Sequence, residues 1–90
     1  KKHYSPGVPV YLNKKKPENK GALLVFGKSN LKGKNVFYLS KKASLAEAAR
    51  NLYSKLRLIK KLGYKNISIT KIPNKNIGIA INDRLKRASS

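Results

Sequence analysis

Ninety residues carry twenty-two Lys and Arg against only three acids, Glu18, Glu47 and Asp83, for a formal net charge of +19. That length holds one small core and excludes a second catalytic lobe, and the absence of cysteine excludes disulfides and thiolate metal sites. The longest apolar runs, residues 22–26 and 77–81, fall far short of the ~20 residues that span a bilayer, so no membrane partner is expected.

Residues 1–20 contain Pro6, Pro9, Pro17 and the run Lys14-Lys15-Lys16, and they read as an extended basic linker with at most a short strand over residues 8–12. The chain starts at Lys1 without a charged-then-apolar leader, which reads as a cut or processed end. Residues 22–26, Ala-Leu-Leu-Val-Phe, are short, β-prone and apolar on both faces, as a buried strand requires. A loop rich in Gly, Ser, Asn and Lys occupies residues 27–35, and a second strand follows at 36–39. Ser44 and Glu47 have capping-box spacing and Gly63 supplies a stop, which predicts a helix between them. At 100° per residue Leu45, Ala48, Ala49, Leu52, Leu56, Ile59 and Leu62 share one face, while Arg50, Arg57 and Lys61 line the other. A third strand is expected at 66–70 with Ile67 and Ile69 on one side. Pro73-Asn74-Lys75-Asn76 then turns the chain into a last helix over 77–88, despite the β-leaning Ile77, Ile79 and Ile81.

Strand, helix, strand in this order favours parallel neighbours joined by a right-handed connection. The fold class is a small α/β, Rossmann-like sandwich with a mainly parallel sheet of three or four strands and two helices. Nine residues are short for a parallel crossover without a helix, so the pairing of the first two strands is left open.

Gly27-Lys28-Ser29 after a buried strand has the end of a phosphate-binding loop, but Ala22 stands where the first glycine is needed and Gly33 interrupts any helix. An ordinary basic loop is the better reading. With a single histidine, His3, and so few acids, the chain offers no metal-ligand cluster and no nucleophile, base and orienter set, which argues against a self-contained hydrolase or metalloenzyme. Asn82, Asp83 and Arg84 are poor fits to an apolar helix and point to buried or interfacial hydrogen bonding, with Asp83 also spaced to pair with Arg87. Tyr11, Tyr38, Tyr53 and Tyr64 could stack on bases, yet three of them lie inside expected strands or helix, where core packing is their better use. The charge itself asks for an anionic partner. RNA fits best, because heat-adapted ion-pair networks need acids that are missing here.

Three separated motifs carry a family resemblance: His3-Tyr4-Ser5-Pro6, Ala49-Arg50-Asn51-Leu52, and Ala80-Ile81-Asn82-Asp83-Arg84-Leu85. In this order, from His3 to Ala88, they resemble the linker and C-terminal domain of the two-domain threonylcarbamoyl-AMP synthases. The resemblance also supports the helix over 77–88. It divides the chain into a linker, residues 1–20, and a domain, residues 21–90, and implies a cytoplasmic protein without activity of its own. In that family a YrdC-type N-terminal domain makes threonylcarbamoyl-AMP from threonine, bicarbonate and ATP for modification of tRNA. Nothing here looks like that domain, so it becomes the implied partner, and ATP and Mg are expected only with it. The resemblance gives His3, Tyr4, Ser5 and Pro6 a gating role, although Ser5 stands where alanine is common and Gly7 where a larger residue is usual. It places Arg50, Asn51, Asn82 and Arg84 at the interdomain surface. Composition offers the alternative of a free-standing relative bound to tRNA or ribosomal RNA, as a ribosomal or ribosome-associated protein. Its phosphate contacts would come from Lys14, Lys15, Lys16, Arg57, Lys60, Lys61, Lys86 and Arg87.

Overall fold

The computed structural model describes residues 7–89. The chain order is β1 (Val10–Tyr11), β2 (Gly21–Phe26), β3 (Val36–Ser40), α1 (Leu45–Lys61), β4 (Asn66–Ile69) and α2 (Ile77–Ser89). The four strands form one all-parallel sheet in the order β1-β4-β2-β3. This is the small α/β fold with two helices that the hydrophobic periodicities call for. The short strand of the linker segment is β1, which pairs with β4 at the sheet edge.

β2 is apolar on both faces and can be stable only with cover on each side and a strand at each edge. Residues 21–25 are all buried, and β2 sits between β4 and β3. The crossover through α1 therefore joins strands that are not neighbours, in contrast to the simplest reading of a strand-helix-strand order. β2 and β3 pair in parallel, with Leu23 opposite Val36, although residues 27–35 contain no helix. A β-strand rises about 3.3 Å per residue, so nine residues reach far enough to run back along a strand of this length without one.

Residues side by side in the register alternate between two faces. Val10, Ala22, Leu24, Phe37, Ile67 and Ile69 share one face with Leu39, and they form the core with Ala48, Leu52, Leu56 and Ile59 of α1 and Ile81, Leu85 and Ala88 of α2. Both helices thus lie on the same side. The opposite face carries Leu23, Val25 and Ser68, all buried, under helix-free chain: the Tyr38 hydroxyl donates to the carbonyl of Ser29 (3.3 Å), which holds the 27–35 loop there.

Ser44 caps α1 by accepting from the Glu47 N–H (3.1 Å). Only half of the expected capping box forms, because the Ser44 N–H donates to the Ser40 hydroxyl instead (2.9 Å). Gly63, at φ 92°, ends the helix. The buried stripe is narrower than the apolar stripe of the sequence: Ala49 is exposed and Leu62 is 57% exposed, both lying beyond the edge of what the sheet covers. In α2 the buried positions Gly78, Ile81, Leu85 and Ala88 repeat with helical period, and this stripe overrides the β-preference of the isoleucines. A Cβ on Gly78 would lie 3.3 Å from Leu45 Cδ2, and Arg84 lies over Tyr53, so the two helices start together and run side by side. The reversal through α1 between parallel strands makes both helices antiparallel to the sheet. Their N-termini stand at the carboxyl edge of the strands.

Candidate functional site

The four polar residues assigned to an interdomain surface separate into two pairs. Asn51 and Asn82 turn inward. The Asn51 Nδ2 donates to the carbonyl of Leu39 (3.0 Å), beside the register shift that sets Val25 opposite Tyr38 but Phe26 opposite Ser40. That irregularity takes the Leu39 carbonyl out of the regular ladder, and the amide of α1 satisfies it. The Asn82 Nδ2 donates to the carbonyl of Ile72 (2.9 Å) and to Asn74 Oδ1 (3.3 Å), tying α2 to the segment that follows β4. Arg84 and Arg50 lie on the exposed outer surface of the helices. The Arg84 guanidinium donates to the Tyr53 hydroxyl and stands 5.0 Å from the centre of that ring. Asp83 and Arg87 form the ion pair that their spacing implies, with both side chains 55% exposed.

His3, Tyr4, Ser5 and Pro6 lie outside the described residues. Gly7, which follows them, approaches Lys60 closely enough that an added Cβ would fall 2.8 Å from Nζ. Gly7 therefore lies beside the C-terminal turn of α1, at the amino end of the sheet. Of the basic residues assigned to RNA, Arg57, Lys60 and Lys61 belong to this end and are exposed. Lys14, Lys15 and Lys16 follow β1 at the opposite, carboxyl edge, and Lys86 and Arg87 lie in the last turns of α2. The set does not converge on one patch. Lys14 pairs with Glu18 (2.5 Å), and the hydrogen bond and charge of Lys14 hold the Glu18 carboxyl below its usual range.

Two crevices open at the carboxyl edge on either side of the chain leaving β4. On the helical side, a cavity of about 410 Å³ is lined by Leu12, Ile79, Asn82, Asp83 and Lys86 among others. Ile77 (46% exposed) and Ile79 (54%) give the first turn of α2 an apolar outer surface beside it. On the other side, a crevice of about 560 Å³ is lined by Asn13, Lys14, Lys15, Val25, Phe26, Lys28, Ser29, Thr70 and Lys71. Sequence reasoning missed this grouping and discarded Lys28 and Ser29 with the incomplete phosphate loop; the only available signal was lysine recurring just after expected strand ends. Tyr64 and Tyr38 serve packing and tethering. The Tyr64 ring meets Phe37 edge to face at 6.0 Å, and its hydroxyl donates to the carbonyl of Lys34 (3.2 Å). Tyr11 is 43% exposed on the edge strand. No helix among the described residues is long and apolar enough to cross a membrane.

The crystal structure of P. abyssi Sua5 complexed with L-threonine is similar to this chain, with a TM-score of 0.76 and 27% identity. The similarity covers 99% of this chain and 30% of that one, so the chain spans about a third of its structural relative. No curated protein matches the sequence. The family model described as threonylcarbamoyl-AMP synthase, C-terminal domain, matches residues 1–90. A match of the whole chain, joined to the shared fold, places this protein in the threonylcarbamoyl-AMP synthase C-terminal domain family.

Proposed function

We propose that this chain is a non-catalytic accessory domain that acts on a YrdC-type catalytic domain in threonylcarbamoyl-AMP synthesis, for tRNA modification. The observation that carries the reading is the correspondence of its full length to under a third of Sua5, which leaves most of that protein to a different unit. In this reading the catalytic domain binds ATP and Mg in the cytoplasm. The segment His3-Tyr4-Ser5-Pro6 acts at that domain's mouth and gates passage of substrate or product. Arg50 and Arg84, exposed on the helical layer, are available to a partner without disturbing the core. Asn51 and Asn82 support that surface indirectly, by fixing the helices that carry it.

Mixing the chain with a purified YrdC-type domain and measuring both association and synthesis of threonylcarbamoyl-AMP tests the proposal. Association is expected, with Tyr4→Ala changing turnover and Arg84→Ala weakening the complex. Unchanged binding and unchanged turnover in both variants would sink it.

The charge of +19 favours a second reading, in which a free-standing relative of this domain binds tRNA or ribosomal RNA. Neutralised phosphates release counterions, so such binding weakens with salt by a log-log slope of about −0.7 to −0.9 per phosphate contacted. A flat salt dependence would contradict this reading.

A further inference from the structure

We infer that the crevice at the carboxyl ends of β2 and β4 binds the phosphate groups of a small molecule, a nucleotide or an inorganic oligophosphate. The inference is independent of gating and concerns a site on this domain itself. Topology makes the opening. After β2 the chain passes to the sheet face without helices, where Ser29 is held by Tyr38, and after β4 it passes to the helical face as α2. Adjacent parallel strands whose continuations part to opposite faces leave a gap beyond their carboxyl ends, which is where open α/β sheets receive ligands.

The chemistry of the gap is one-sided. Lys15, Lys28 and Lys71 line it together with Ser29, Thr70 and the Asn13 amide, and no carboxylate is among the lining residues; Lys14, also in the wall, keeps its ammonium on Glu18 just outside it. Lys15, Lys28 and Lys71 are exposed. The two hydroxyls are oriented by the backbone: Thr70 Oγ1 accepts from the Phe26 N–H (2.9 Å) and Ser29 Oγ from the Leu31 N–H (3.0 Å). With an acceptor position already used, each hydroxyl has its O–H left to donate. Lysine, hydroxyl and amide donors around one recess suit the oxygens of a phosphate group. The mode differs from a phosphate loop, which needs a helix starting at Lys28 and Ser29 to aim its amides; no helix begins there. A volume of about 560 Å³ falls within the range of small-molecule sites. Phe26, half-buried in the wall, adds an apolar surface for the remainder of a ligand.

Isothermal titration calorimetry of the chain with inorganic triphosphate and with ATP, at fixed ionic strength, tests the inference. Two double variants remove the same charge. Lys28→Gln with Lys71→Gln removes two of the crevice's lysines, whereas Lys61→Gln with Lys65→Gln acts at the far, amino end of the sheet. All four lysines are exposed and each variant loses two positive charges, so both should stay folded, with thermal midpoints close to each other and no lower than that of the parent chain. One-to-one binding is expected, weakened about tenfold or more by the first pair, as loss of charge-assisted hydrogen bonds implies, and by no more than about twofold by the second. Equal affinity for the two probes identifies an oligophosphate site, and tighter ATP binding identifies a nucleotide site. Equal weakening by both variants would mean that diffuse charge is responsible and would overturn the inference. So would absence of binding by either probe, or binding of an RNA oligonucleotide when triphosphate does not bind.

Discussion

Asn51 and Asn82 show how a polar residue in an apolar helix can be structural and still matter to a surface. Each places a side-chain amide on a main-chain carbonyl that secondary structure leaves over, Leu39 at the strand irregularity and Ile72 beyond β4. A part-buried carbonyl deprived of its donor costs about 1–3 kcal/mol. Asn51→Ala is therefore expected to lower the thermal midpoint, at about 4–8 °C per kcal/mol for a domain of this size. Arg50→Ala, one residue away and exposed, should leave it nearly unchanged. Thermal unfolding followed by circular dichroism compares the two, and equal midpoints would remove the tether from the account. That these asparagines bond to something was legible from their setting. Their partners were not, because Leu39 presents its carbonyl only once β2 and β3 are paired with a shift in register.

The elements themselves were legible wherever a local signal had a physical cause. Ser44 and Gly63 bounded α1 because a cap and a left-handed stop act within a few residues. Strand order was not local: the apolarity of β2 requires two neighbours but does not say which. The lysine crevice was hidden for the same reason, since a parallel sheet gathers strand ends that lie far apart along the chain. Gly78 combines both kinds of information. By propensity, alanine in a helix is more favourable than glycine by about 1 kcal/mol, so Gly78→Ala would stabilise an isolated α2. In the fold a Cβ there would fall 2.0 Å from the carbonyl oxygen of Pro73 and 3.3 Å from Leu45 Cδ2. The first contact is with backbone that must move, so the packing penalty, typically about 1–3 kcal/mol for an overfilled site, should outweigh the propensity gain. Urea unfolding should show net destabilisation, and a more stable Gly78→Ala protein would mean that the turn at Pro73 yields easily.

For the molecule as a whole, the decisive quantity is charge. Three acidic side chains cannot neutralise twenty-two basic ones, and the pairs Lys14–Glu18 and Asp83–Arg87 are solvent-exposed contacts between residues four apart, which contribute little to stability. The folded chain has a radius of gyration of 11.9 Å, so many of its lysines lie within one Debye length of one another at low salt. Unfolding spreads the same charges over a much larger volume and relieves their repulsion. Screening should therefore stabilise the folded state, even though it weakens the two surface pairs, because repulsions greatly outnumber attractions. Raising sodium chloride from about 0.01 M to about 0.15 M shortens the screening length from about 30 Å to about 8 Å. Over that range the thermal midpoint is expected to rise, by about 4–8 °C for each kcal/mol of repulsion removed. A specific phosphate ligand should add to this at constant ionic strength, since binding to the native state alone stabilises it by mass action. A midpoint that falls as sodium chloride is added would mean that the two ion pairs outweigh the net repulsion. The charge would then no longer count as a burden on the fold, and the case for an anionic partner would lose its physical basis.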